Sequence, residues 1–248
     1  MIKCPICGST KCRNLFLDLI LCTGCGHISK GVSVSRINYK NYISSAQRKV
    51  TPEHVKRANF VATFRANFLK AFKESGNVLE IGCGHDYFLK KVKSMGFNPE
   101  GTELSEALIK SLKDYKIYFG NPSEIKDLKK YDAIAMFHVL EHINKPIKEI
   151  KALVKQLNDD GVLIIEIPSM IFFDLELNPK DFYESIHTQY FNQVSLLLLL
   201  KKCGLKIIHQ INFWDGTMAA TLICTVKQTA DIEKFKQKSL ELLAGEKI

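Results

Sequence analysis

Long apolar runs are missing from this chain of 248 residues. The longest, Leu196 to Leu200, is five leucines closed by Lys201 and Lys202, against the roughly 18 apolar residues that cross a bilayer. That excludes a helical membrane protein. The chain reaches Cys4 too soon for a secretory leader. A cytoplasmic location is therefore expected, and there disulfides are disfavoured. Arginine is also scarce: Arg13, Arg36, Arg48, Arg57 and Arg65 are the whole set. The net charge of +9 thus rests mainly on lysines scattered among acids. No basic stripe interleaved with aromatics, the footprint of nucleic-acid binding, is visible. A lysine-rich solvated surface accounts for the charge. Only the arginine-bearing N-terminal third suits bidentate contacts with a phosphorylated partner. The apolar fraction of 46% and the length fit one core with a small appendage.

Cysteine, by contrast, is grouped. Cys4, Cys7, Cys22 and Cys25 form two C-x-x-C-G knuckles, "CPICG" and "CTGCG". Two such knuckles place four thiolates around one tetrahedral ion and leave no open position for chemistry. Zinc is the commoner occupant; iron in a rubredoxin-like site is the alternative, and two chance thiol pairs the bland one. Cys12, Cys83, Cys203 and Cys224 have no such spacing, and His27 lies too close to Cys25 to be needed as a ligand.

The rest of the chain divides by pattern. Residues 31–50 are polar and aperiodic, with Tyr39 and Tyr42 as the only large anchors. Thr51-Pro52-Glu53 opens a helix by cap, proline and acid, with Val61, Phe64, Phe68 and Phe72 at helical spacing. From Val78 onward apolar strands alternate with helical stretches, which predicts an α/β, doubly wound parallel sheet. "LKIIHQINF", a Trp214-Asp215-Gly216 turn and "MAATLICTV" read as a closing antiparallel hairpin, and an amphipathic helix starts at Asp231. The resulting division is a zinc-ribbon-like module (1–30), a linker and helix (31–75), a cofactor domain (76–228) and a C-terminal helix (229–248).

The first strand breaks into Gly82-Cys83-Gly84, a turn that lets backbone approach a nucleotide at the strand's carboxyl end. A dinucleotide fingerprint requires a further glycine where Tyr87 stands. Glu80 also opposes a pyrophosphate, which needs positive partners. An acid there suits a cofactor without phosphates and with a cationic end, such as S-adenosylmethionine. Glu103, closing the second strand, is placed to take both ribose hydroxyls.

Glu80-Ile81-Gly82-Cys83-Gly84, Glu103 and "YDAIAMFHVLEHI" resemble the class I S-adenosylmethionine-dependent methyltransferases, in the branch of ubiquinone-biosynthesis O-methyltransferases and sugar methyltransferases. The resemblance covers about residues 76–227. It implies a Rossmann-like, mostly parallel sheet of seven strands with a reversed last strand, and a pocket that adds Leu104, Asn121, Phe137 and His138. The knuckles resemble the zinc-binding segment before this domain in some deoxysugar C-methyltransferases. Two positions depart from the family. Asp86 replaces a third glycine, where an Asp's tolerance of unusual backbone angles would preserve the turn. Asn121 stands where an acid often meets the adenine amine.

After the fourth strand the Asn-Pro-Pro-Tyr motif of enzymes that methylate planar nitrogens is missing. That points to an oxygen or carbon acceptor and a general base. Four residues compete: His138 at the strand end, Glu141 and His142 at the start of the next helix, and His187 between Tyr183 and Tyr190. In the ubiquinone-pathway relatives, positions matching the first three can hold a metal, with an acid at the first; bracing the helix is the bland reading of Glu141 and His142. Imidazole titrates near neutrality, so His187 is the preferred base. The stretch from Ser169 to Tyr190 is long enough for a lid or substrate wall. The favoured acceptor is a small metabolite, a sugar, nucleotide-sugar or other phosphorylated building block, with nucleic acid and membrane set aside as partners. An RNA methyltransferase with a zinc module comes second, and a cofactor-binding scaffold without catalysis third.

Overall fold

The computed structural model describes residues 2–15, 18–30, 51–126, 128–169, 187–214 and 219–243. The expected anchors Tyr39 and Tyr42, most of the expected lid with Tyr183, and the Asp215-Gly216 turn lie outside them. Three short strands come first: β1 (Cys12–Asn14), β2 (Leu19–Cys22) and β3 (Ile28–Lys30). Helix α1 (Pro52–Phe72) follows, its N-terminus capped by Thr51, whose hydroxyl accepts from the His54 amide. The alternating region gives β4 (Gly76–Ile81), α2 (Tyr87–Ser94), β5 (Phe97–Glu103), α3 (Glu106–Ser111), β6 (Lys116–Phe119) and β7 (Tyr131–Phe137). A single 3₁₀ turn, Leu140–His142, precedes α4 (Pro146–Gln156) and β8 (Leu157–Pro168). The chain then runs through β9 (Gln189–Tyr190), α5 (Gln193–Lys202), β10 (Leu205–Trp214), β11 (Ala219–Lys227) and α6 (Glu233–Leu243).

The large sheet has seven strands in the order β10-β11-β8-β7-β4-β5-β6. Strands β4 to β8 are parallel, whereas β11 runs against β8 and β10 against β11. The sequence reading of a doubly wound sheet with a reversed last strand is what the fold contains. Parallel strands must be covered on both faces, and the central pair obeys this: Ala133 to Met136 and Val162 to Ile165 are fully buried. One face packs Phe68 and Phe72 of α1 and Phe88 of α2; the other packs Leu153 of α4 and Leu196, Leu199 and Leu200 of α5. The chain leaves β4 toward β5 and β6, then returns to β7 on β4's other side. The crevice outside the carboxyl ends of β4 and β7 is therefore the switch point at which such sheets bind ligands.

The small sheet was not legible beforehand. It has the order β1-β2-β3-β9, so its fourth strand comes from far along the chain. Among the described residues no helix is long and apolar enough to cross a membrane.

The close fit of β4 to β5 is testable at Gly101. A Cβ there would stand 2.8 Å from Cys83 Sγ and 2.9 Å from Ile117 Cδ1, and overpacking of this kind costs about 1–3 kcal/mol. Gly101→Ala should lower the thermal midpoint by a few degrees, at roughly 2–4 °C per kcal/mol. Adding Cys83→Ala should recover part of the loss; strictly additive midpoints in calorimetry would show that the two do not touch.

Candidate active site

Strand β4 delivers the glycine turn to the crevice. Gly82 and Gly84 have φ of +66° and +51°, the left-handed region where side chains are costly. A Cβ on Gly82 would also lie 2.9 Å from Val139, whereas one on Gly84 meets nothing within 4 Å. Gly84 thus faces open space with its backbone accessible. The third glycine is not needed: Asp86 sits at φ −71°, outside the left-handed region, so the expected appeal to unusual angles is replaced by an ordinary one. Tyr87 simply opens α2.

Glu103 organises this turn. Its Oε2 accepts from the Gly84 amide (2.9 Å), and its Oε1 from Leu104 (2.7 Å) and Ser105 (2.8 Å). An ionised carboxylate offers about four lone-pair positions, so three are engaged and about one is left for a ribose hydroxyl, rather than the pair expected. Cys83 is buried against Gly101 and contributes packing and backbone. Asn121 gives its backbone and side-chain N–H groups to Glu124 Oε2 (3.2 and 3.0 Å). Its side-chain oxygen is the atom suited to accept from an adenine amine.

Glu80 is 6% exposed, and its Oε2 has no hydrogen-bond partner among the described residues. Burial pushes its carboxyl well above the usual range, helped by Glu103 and Asp86 and opposed by Arg65. A buried carboxyl with an orphaned oxygen beside an open glycine turn is short of a hydrogen-bond partner. The ammonium end of S-adenosylmethionine fits that deficit.

On the neighbouring strand Phe137 packs edge-on to Phe88, with ring centroids 4.8 Å apart, and under Arg65, 4.4 Å from the ring. His138 follows with φ +53°, the one left-handed non-glycine residue among those described. Its Nε2 lies 2.9 Å from Glu166 Oε1 and its Nδ1 lies 3.3 Å from Glu141 Oε1. Glu166, buried in β8, also receives Arg65 in a two-pronged contact, with Nε 2.8 Å from Oε2. Burial alone would raise the carboxyls of Glu166 and Glu141, yet both are held below the usual range, the first by Arg65 and His138, the second by His138, His142 and His187. Sequence reasoning missed Arg65 and Glu166. The signal was present: an acid within "VLIIEI", and an arginine on the otherwise apolar face of a helix.

The structure gathers the four candidate bases. Ligand-capable atoms of Glu141, His142 and His187 all lie within 4.8 Å of one another, so these three could hold a metal ion. The rings of His142 and His187 meet edge to face, with centroids 4.8 Å apart. Glu141 and His142 stand on the separate 3₁₀ turn before α4 rather than on a helix. Burial lowers His187 to about 4, against the pull of Glu141.

The cysteines form a second site. Sγ atoms are 3.7 Å apart for Cys4–Cys25 and 3.5 Å for Cys7–Cys22, near the roughly 3.8 Å edge of a tetrahedron with metal–sulfur bonds of about 2.3 Å. The amides of Cys7 and Ser9 point at Cys4 and Cys7 sulfurs. Charged thiolates would use those donors.

Fold and site together define a Rossmann-like methyltransferase. The methyltransferase-domain family matches residues 53–210, more than half of the chain, and the chain belongs to that family. It is 27% identical over 161 residues to the tRNA U34 carboxymethyltransferase of Aeromonas hydrophila, covering 58% of this chain and 48% of that one. It is 27% identical over 135 residues to the ubiquinone biosynthesis O-methyltransferase of Pelagibacter ubique, covering 47% and 55%. The magnesium protoporphyrin IX methyltransferase of Synechocystis, solved with bound SAH, superposes with a TM-score of 0.58 at 13% identity, covering 76% of this chain and 92% of that one. The chain spans about half the length of the curated relatives it matches.

These relatives correct the expected substrate. Seven of eight curated matches carry the name tRNA U34 carboxymethyltransferase. That overturns the favoured sugar, nucleotide-sugar or small phosphorylated acceptor, and with it the setting aside of nucleic acid as a partner.

The depressed His187 carries a stability signature. Folded His187 titrates near 4 and an unfolded histidine near about 6.5, so between these values the unfolded chain holds more protons. Stability should fall as pH drops through that window, by about 1.4 kcal/mol per pH unit from this residue. His187→Gln should flatten the curve by that slope in denaturant titrations from pH 7 to 4. An unchanged slope would place His187 in water.

Proposed function

We propose that this protein is an S-adenosylmethionine-dependent RNA methyltransferase, with tRNA as its substrate. The observation that carries the substrate is the shared tRNA name of most curated relatives. The orphaned Glu80 beside an open glycine turn supports the cofactor. When bound, that cofactor supplies a methyl group activated on a sulfonium; the chain supplies alignment and a proton acceptor. Glu80 would pair with the ammonium, the Gly82–Gly84 backbone would admit the amino-acid portion, and Glu103 with Leu104 would hold the ribose. Asn121 would accept from the adenine amine, with Phe137 and His138 lining the remaining wall.

His187 takes the acceptor's proton. Burial takes it to about 4, away from the near-neutral titration expected of it. The imidazole is thus neutral but a weaker base at physiological pH, and its role rests on the buried Glu141 carboxylate, which would offset the charge that forms. His142 completes the turn against it. His138 serves as a brace, because both its ring nitrogens face carboxylates. The separations of the four cysteine sulfurs support a structural zinc on Cys4, Cys7, Cys22 and Cys25.

Protein incubated with bulk tRNA and cofactor labelled on its transferable methyl should place label in nuclease-sensitive, acid-precipitable material. His187→Ala should lower that rate by about 10²–10⁴-fold with cofactor affinity nearly unchanged. Label appearing only in small molecules would reject the RNA reading, and a fully active His187→Ala enzyme would reject the base.

Cofactor binding should also release a proton. Pairing with an ammonium favours ionised Glu80, so its raised pKa must fall on binding, and affinity should climb with pH until the free site's pKa is passed. Calorimetric titration in buffers of different ionisation enthalpy measures the release. Glu80→Gln should abolish it; a wild-type site exchanging no proton over pH 5 to 9 would remove the ammonium from Glu80.

A further inference from the structure

The cysteine module and the candidate base meet through one short segment. Strand β9 begins two residues after His187, and among the described residues its neighbour in the small sheet is β3. The pairing is antiparallel, Ile28 opposite Tyr190 and Ser29 opposite Gln189. Thr188, between His187 and the strand, is held from both directions: its carbonyl accepts from the Lys30 amide at 3.0 Å, and its amide donates to the Glu141 carbonyl at 2.8 Å. A two-residue strand has no stability of its own. Its order must come from its neighbours.

Those neighbours are set by the knuckles. His27, two residues after Cys25 and 1% exposed, contacts Gln189 Oε1 through Nε2 at 2.8 Å. The Cys25 carbonyl accepts from the Asn192 side chain at 3.2 Å. Asn192 in turn caps α5, its oxygen accepting from the Ser195 amide at 2.8 Å. Gly26 lets this happen, because a Cβ there would lie 2.3 Å from Asn192 Nδ2. Strands of three, four and three residues are too short to hold the module together without a staple, and a tetrahedral metal on the four sulfurs is such a staple.

We propose that the metal-loaded cysteine module is a positioning element of the acceptor site: through His27, β3 and Asn192 it fixes the 187–192 segment and so sets His187 against Glu141 and His142. The cofactor contacts on β4 and β5 need none of these links. Metal occupancy therefore governs the acceptor half of the site and leaves the cofactor half intact. The catalytic consequence rests on the proposed role of His187; the ordering of residues 188–190 does not.

The test uses the full chain in three forms: zinc-loaded, stripped by chelator, and His27→Ala, which keeps all four cysteines. Each is assayed for zinc by elemental analysis, for S-adenosylhomocysteine affinity, for amide exchange at residues 188–190, for the His187 ring-proton signal, and for methyl transfer to tRNA. Stripping should raise exchange at 188–190 at least tenfold, shift the His187 signal and cut transfer at least tenfold, with affinity changed less than twofold. His27→Ala should do the same in part while retaining about one zinc per chain. Unaltered exchange and an unmoved His187 signal in stripped protein would overturn the proposal. So would loss of S-adenosylhomocysteine binding on stripping, since the module would then support the whole fold. If loaded protein transfers nothing to tRNA, the substrate reading fails, and the exchange and His187 signals still decide this one.

Discussion

The buried carboxylate of Glu166 is the constraint around which the site is arranged. It sits fully buried in a central strand, and an unpaired charge there would cost several kcal/mol. Arg65 answers it from α1, which pins that helix across the strand ends and lays a guanidinium over Phe137. His138 answers it from the other side, and reaching it coincides with a left-handed backbone that is uncommon outside glycine, though histidine tolerates it better than most residues. The same imidazole meets Glu141. Arg65, Glu166, His138 and Glu141 therefore form one continuous run of contacts, with the imidazole set between two buried carboxylates. The run ends in the His142–His187 pair, where a proton acceptor is wanted.

Much of this was legible locally. The strands, the glycine turn, Glu80 and Glu103 follow from patterns a few residues long, since period and turn chemistry act over that range. The Thr51 cap follows for the same reason. Arg65 and Glu166 did not emerge, because 101 residues separate them and neither position carries its partner's signature. The role of His27 was hidden likewise: beside Cys25 it reads as a surplus ligand, and only the fold brings Gln189 to it. Strand β9 is two residues long, too short to leave a period.

The substrate was misread for a related reason. Charge spread over lysines along the chain gives no stripe in the sequence, yet phosphate contacts come from basic groups that tertiary structure collects. Most of the curated relatives are named for tRNA, of which composition gives no sign. A missing local signature was weak ground for setting nucleic acid aside.

The two halves of the site draw their order from different sources. On the cofactor side, three backbone amides converge on Glu103 and parallel strands hold the turn; rigidity there belongs to the sheet. On the proposed acceptor side, His187 hangs from a segment fastened by three hydrogen bonds at Thr188 and by His27 and the Cys25 carbonyl of the cysteine module. The proposed tRNA acceptor would approach that side, along a wall whose order is borrowed from the small sheet. A two-residue strand paired to β3 can be perturbed without loosening the parallel strands that carry the glycine turn, so the two halves can be disturbed one at a time.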